Sequence, residues 1–220
     1  MQERVTGSFE IHIFVEPLDP PPEAVERFRT ACTSNGMKAL LLNLDYVGKG
    51  FVGVLQSSRY VSGSVEDAIA AAHHDAAILK NAGLSVLREK VEAVASDEGV
   101  PKDQADAEHS PPDRYFEFHV LIDRPTGLTE DDMRALREIA RKYSAQLGTP
   151  VPLSYNALKP AQRFLNLRAR GCGLDRALAP VHAVESELAA SDLIVKKVIS
   201  EYICFDSNRA VDNGWLEPLA

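Results

Sequence analysis

Phe9-Glu10-Ile11-His12-Ile13, near the start of the chain, returns as Phe116-Glu117-Phe118-His119-Val120 past the midpoint. Each stretch opens a run in which apolar and polar residues alternate. Period two is the signature of a strand with one buried face. Phe9, Ile11, Ile13 and Val15 form one side of the first run, and Glu10, His12, Phe14 and Glu16 the other. In the second run Glu117, His119, Leu121 and Asp123 take the second side. A repeat kept only for its core would keep apolar residues. Here Glu and His recur, so the repeat points to a site as well as a fold.

Reading outward, prolines within residues 17–22 suit a turn and a helix start. Ala24, Val25, Phe28, Ala31 and Cys32 follow at helical spacing, and Asn35-Gly36 ends the helix. Residues 38–44 read as a strand, 45–53 as a glycine-rich loop and 54–61 as the next strand. Val65, Ile69, Ala72, Ala76 and Leu79 mark a second helix, and residues 84–94 a last strand. The order is β-α-β-β-α-β. Residues 96–114 are polar, carry Pro101, Pro111 and Pro112, and read as a linker or long loop. The second copy repeats the order. Thr129 with Asp132 predicts a capping box. Met133, Leu136, Ala140, Tyr143 and Leu147 give a helix ended by Gly148. Residues 151–155 and 163–170 give strands. Leu174, Leu178, Val181 and Leu188 give a helix that Pro180 kinks or starts later, and residues 193–205 the final strand.

This order predicts an α+β fold, a tandem duplication of a ferredoxin-like βαββαβ unit with pseudo-twofold symmetry. Residues 1–95 form repeat 1, residues 96–114 the polar linker, and residues 115–220 repeat 2 with a C-terminal tail. The first strand of each unit is expected between the third and fourth. One face of each sheet is left for the other copy to cover. Two sheets facing each other would enclose a cleft; joined edge to edge they would make one open sheet.

Composition narrows the function. The 220 residues have the apolar and charged fractions of an ordinary globular protein. No stretch approaches the roughly 18 apolar residues of a membrane span, and no basic-then-apolar leader is visible. Three cysteines without metal-ligand spacing read as reduced thiols of a cytoplasmic protein. A net charge of −8 argues against general nucleic-acid binding.

The polar residues shared by the copies suggest chemistry. His12 and His119, and Lys90 and Lys197, share an offset of 107; Arg59 and Arg168, and His73 and His182, share one of 109. With neighbouring strands about 4.8 Å apart, His12, Arg59 and Lys90 would flank one small group. His119, Arg168 and Lys197 would flank another. Arg and Lys bind phosphate or carboxylate through charge-assisted bonds, and a strand histidine can be a general acid or base. The first expectation is therefore a small anionic partner, phosphorylated or nucleotide-like. His12 and His119 would be catalytic, and Arg59, Arg168, Lys90, Lys197, Glu10 and Glu117 would bind. The second is a metal-dependent oxygenase or hydrolase on Glu10, His12, Glu117 and His119, a donor set suited to zinc, iron or manganese. The third is a non-catalytic interaction module with Phe14 and Leu121 exposed. The plainest alternative makes Glu10, Lys90 and Glu92 mere cross-strand ion pairs. His73 and His182 read as packed helix residues. Asp206, Ser207, Asn208 and Asp212 read as a cap on the cleft, as ligand-binding residues or as a tight turn, with Trp215 anchoring the terminus.

Two lobes, each with a strand histidine, resemble the two-histidine phosphoesterase superfamily. That resemblance implies phosphoester chemistry at His12 and His119. The family's motif is His-x-Thr/Ser, whereas this chain reads His12-Ile13-Phe14 and His119-Val120-Leu121. The opening strand also looks like that of ferredoxin-like aromatic-ring dioxygenases. The closing pattern, from Lys197-Val198-Ile199-Ser200-Glu201-Tyr202 to Trp215, is similar to that of bacterial tandem ferredoxin-like proteins without an assigned activity.

Overall fold

The computed structural model describes residues 5–46, 49–124, 126–212 and 215. Val47 and Gly48 of the glycine-rich loop, and Asn213 and Gly214 of the polar tail, lie outside the described residues. The first half runs β1 (Thr6–Val15), α1 (Pro22–Ser34), β2 (Lys38–Tyr46), β3 (Gly50–Ser64), α2 (Val65–Asn81), β4 (Val86–Val94). A short α3 (Gln104–Ala107) follows. The second half runs β5 (Tyr115–Asp123), α4 (Glu130–Leu147), β6 (Leu153–Asn156), β7 (Gln162–Arg170), α5 (Leu174–Ala177), α6 (Ala179–Ala190), β8 (Val195–Asp206). A 3-10 turn, Arg209–Asp212, ends the described chain apart from Trp215. The fold is mixed α+β.

Local chemistry sets these bounds. Ser64 and Asp67 make a capping box on α2, and Thr129 and Asp132 one on α4. Gly148 ends α4 in the left-handed conformation, at φ 65°. Pro180 sits in the first turn of α6, which splits the expected single helix into α5 and α6. The expected loop 45–53 is mostly strand, because β2 and β3 pair as far as Tyr46↔Gly50.

In each half the first strand lies between the third and fourth. The two sheets neither face each other nor join along one edge. They join along both. β2 pairs with β6 through Leu42↔Asn156, Asn43↔Tyr155 and Leu44↔Ser154, and β4 pairs with β8 from Lys90↔Asp206 to Val94↔Glu201. The order β1-β3-β2-β6-β7-β5-β8-β4 closes on itself as an eight-stranded barrel. Four edges of unpaired N–H and C=O groups disappear in this way.

Closure sorts the residues into two environments. Phe9, Ile11, Ile13, Phe116, Phe118 and Val120 point outward into the main apolar core. Helix α2 covers β1, β3 and β4 there, and α6 covers β5 and β8. The other face of each strand lines the barrel interior. Phe14 and Leu121, expected on an exposed face, are 7% and 4% exposed. That corrects the interaction-module reading, which needed them at the surface.

Residues 96–114 lie against the body. Thr6 N–H donates to Glu98 C=O, and Leu174 and Asp175 N–H donate to Pro101 and Lys102 C=O. Gly173 permits this approach: a Cβ there would come within 2.3 Å of the Asp103 backbone.

Candidate functional site in the barrel interior

Following the antiparallel pairings round the barrel, β1 and β5 run in opposite directions. Glu10 therefore lies toward one mouth and Glu117 toward the other. The Glu10 mouth is open to solvent at its rim, where Tyr60 and Val94 are 64% and 45% exposed, while His12 and Glu92 just inside are 7% and 3% exposed. The Glu117 mouth is closed by the C-terminal turn. There Trp215 packs with Phe14, Leu44, Tyr46, Val52 and Val54, and Tyr46 Oη donates to Val211 C=O at 3.2 Å.

At the open mouth, His12 Nε2 lies 3.2 Å from Glu92 Oε2 and 3.7 Å from Glu10 Oε1. On the other ring nitrogen, Nδ1 donates to Ser57 C=O at 3.0 Å, which fixes the ring. The Gln56 amide is 2.7 Å from the same Nδ1 and must present its oxygen to a protonated imidazole. Glu10 is held by the Ser58 and Tyr60 hydroxyls. Across the β4–β8 seam, His119 Nε2 lies 3.1 Å from Glu201 Oε2, and His119 Nδ1 is 2.6 Å from Asn166 Oδ1.

Deeper in, a chain of charge crosses the barrel. Lys90 Nζ lies 2.7 Å from Glu92 Oε1 and also bonds Glu117. Arg168 bonds Glu117 and donates to Asp212 Oδ2 at 2.8 Å. Arg88 donates to Asp212 Oδ1 at 2.7 Å and Asp206 Oδ2 at 2.6 Å. A bulge in β8, with Cys204 as the extra residue, turns Asp206 inward. Each charge here is buried, and burying charge is costly unless every partner is present.

The titration of these groups follows from their neighbours. Burial alone would push the His12 imidazole down, but Glu92 and then Glu10 more than offset it, raising it to about 9. His119 behaves alike: burial opposes, Glu201 and Glu117 prevail, and it too rises to about 9. Glu92 and Glu117 are held low against burial, chiefly by Lys90. Glu201 is lifted by burial and by the charge of Glu92, which together outweigh His119.

A stability profile follows. A group whose pKa is raised on folding stabilises fully below its unfolded value, about 6.5 for His, and loses that contribution through the folded one. Each imidazole contributes on the order of 3 kcal/mol at most. The matching carboxylate shifts describe the same bonds and are not added. In chelator-treated protein the melting temperature should therefore fall by several degrees from pH 6.5 to 9.5. A scan across that range checks it. A level profile would show that neither imidazole is raised above its unfolded value.

The interior gathers Glu10, His12, Lys90, Glu117, His119 and Arg168 of the expected residues. It does not gather the other two. Arg59 pairs with Ile11, points to the helices and bonds Asp75 of α2 with both Nε and Nη2 at 2.9 Å. The counterpart of Arg168, opposite Glu117, is Tyr60, opposite Glu10. A register error of one residue flips the face. Lys197 pairs with Leu121 and is exposed; the residue opposite His119, as Lys90 is opposite His12, is Ile199. His73 and His182 sit on exposed helix faces beside Glu89 and Glu185. Of the residues not among the expected site, Arg88 and Glu92 flank the expected Lys90 at period two along β4, a signal that was present in the sequence. Asp212 and Glu201 gave no comparable signal.

No protein-family model and no curated protein matches the chain. Among solved structures, a provisionally assigned monooxygenase from Fusobacterium nucleatum is similar at 11% identity and TM-score 0.39. It covers 98% of this chain and 99% of its own. A provisionally assigned glycine cleavage system transcriptional repressor is similar at 17% identity and TM-score 0.26, covering 90% and 97%. Likeness at this level carries no conclusion about function.

Proposed function

We propose that the open mouth holds a divalent cation through Glu10, His12 and Glu92, and that a small molecule entering the barrel is processed or sensed there. The observation that carries this reading is geometric. One donor atom from each of the three side chains lies within 4.8 Å of the other two. Metal–ligand bonds of about 2.0–2.2 Å place neighbouring donors roughly 3.0–3.5 Å apart, close to the 3.2 and 3.7 Å found at His12 Nε2. The supporting shell has the expected form. His12 uses its second nitrogen on a backbone carbonyl, and Glu10 and Glu92 are steered by Ser58, Tyr60 and Lys90.

One imidazole with two carboxylates suits manganese, iron or zinc. Such a cation would polarise a bound oxygen or activate water. His119, backed by Glu201, faces the same interior and would carry a proton. A phosphorylated or nucleotide-like ligand, the first expectation from sequence, would reach this mouth only through the cation. Lys90 and Arg168 are already engaged by Glu92, Glu117 and Asp212. The phosphoesterase resemblance and the tandem ferredoxin-like duplication belong to the same proposal; the shared strand order of the two halves supports the second.

Calorimetric titration of chelator-treated protein with manganese and zinc tests the reading. One equivalent should bind. Glu92→Gln and, separately, Glu10→Gln should weaken binding by roughly 100-fold or more, while His119→Gln should retain it. Failure of both metals to bind the native protein would end the proposal, as would binding untouched by both glutamate substitutions.

A further inference from the structure

The closed mouth carries a second site. Arg88 comes from β4 in the first half and Arg168 from β7 in the second, and both are buried. Their guanidinium groups converge on a single carboxylate. Asp212 receives Arg88 Nη1 at 2.7 Å, Arg88 Nη2 at 3.1 Å and Arg168 Nη2 at 2.8 Å. The other carboxylates of this cluster, Asp206 and Glu117, are part of the barrel wall. Asp212 is not; it arrives on the 3-10 turn that follows the last strand. Two arginines presenting three N–H groups to one oxyanion is the arrangement by which proteins recognise carboxylate and phosphate.

Among the described residues, other polar bonds of the turn are Tyr46 Oη to Val211 C=O at 3.2 Å, Asn208 Nδ2 to Leu87 C=O at 3.0 Å and a long Trp215 Nε1 to Leu153 C=O contact at 3.5 Å. Just before it, Ser207 N–H donates to Glu89 C=O at 3.0 Å and Ser207 Oγ accepts from Glu89 N–H at 2.8 Å, which fixes the point from which the turn departs. Beyond these, Trp215 rests on the apolar cluster of Phe14, Leu44, Tyr46, Val52 and Val54.

We propose that the closed mouth is an oxyanion site whose resident occupant is the protein's own Asp212. A small molecule bearing a carboxylate or phosphate competes for Arg88 and Arg168 and lifts the C-terminal turn. The site is distinct from the Glu10, His12 and Glu92 trio and stands or falls without it.

Trp215 is the only tryptophan of the chain, so its emission reports the turn directly. Inorganic phosphate and acetate, titrated into the full chain, should give a saturable red shift. Sodium chloride at equal ionic strength should not. Asp212→Asn should start red-shifted and bind phosphate at least tenfold more tightly, because the internal competitor has lost its charge. Should that variant fail to fold, Tyr46→Phe serves in its place. It loosens the turn, leaves both arginines intact and should also bind phosphate more tightly. The proposal is overturned if neither anion shifts the emission of wild type or variant beyond the chloride control. It is equally overturned if phosphate affinity is the same in wild type and in the folded variant.

Discussion

Glu117→Gln should cost the fold about 3–5 kcal/mol, the price of leaving buried charge without its partner. Glu117 is 2% exposed and bonds Lys90 through one oxygen and Arg168 through the other. The amide keeps the shape and removes the charge. Lys90 would retain Glu92, and Arg168 would retain Asp212, which places the loss within that range rather than above it. Equilibrium denaturation measures the change, and a melting point lower by about 10 °C should accompany it. An internal control exists in Lys142 and Glu187, a pair on the surface. Glu187→Gln should cost less than about 1 kcal/mol. A Glu117→Gln loss as small as the control's would mean that water reaches the barrel interior and screens the charges.

The second large effect concerns cation affinity and pH. His12 holds its proton up to about 9 because Glu92 and Glu10 surround it. A metal takes Nε2 only after that proton leaves. Below the imidazole value the proton is an equal competitor, so apparent affinity falls tenfold for each unit of pH. From pH 6.5 to 8.5 manganese should therefore bind about 100-fold more tightly, with close to one proton released per ion. Competition against a fluorescent chelator across this range gives the slope, and calorimetry in buffers of different ionisation enthalpy gives the proton count. A slope of zero would remove His12 from the ligand set. Above pH 9 the curve should level.

Much of the fold was legible in the sequence, because it rests on local signals. The strand alternation about His12 and His119, the expected cap and stop of α4, and the break at Pro180 are all decided within a few residues. Closure of the barrel was not legible. It depends on the meeting of β2 with β6 and β4 with β8, and nothing in Leu42-Asn43-Leu44 names Ser154-Tyr155-Asn156 as its partner. The site divided along the same line. Strand parity on β1 and β5 put Glu10, His12, Glu117 and His119 on one surface. Placement on β3 and β8 was inferred by matching like residues between halves, and the likeness misled. Arg59 looks like Arg168 but stands one residue out of register, and Lys197 looks like Lys90 but stands two away. Asp212 was legible only as one of a group of tail residues that either cap the cleft or form a tight turn, because a tail residue has no periodicity to decide between them.

Both ends of the barrel begin alike, each with a Glu-x-His strand. Tyr60 stands at one end where Arg168 stands at the other, and only the Arg168 end draws in the C-terminal turn. A tube open at both ends would be a conduit. With one end stoppered by Asp212 and Trp215, the two ends are no longer equivalent. On the proposed readings a ligand of the Glu10, His12 and Glu92 trio would come and go past Tyr60, and an anion that displaces Asp212 would arrive from the opposite side, so the two would never compete for one doorway.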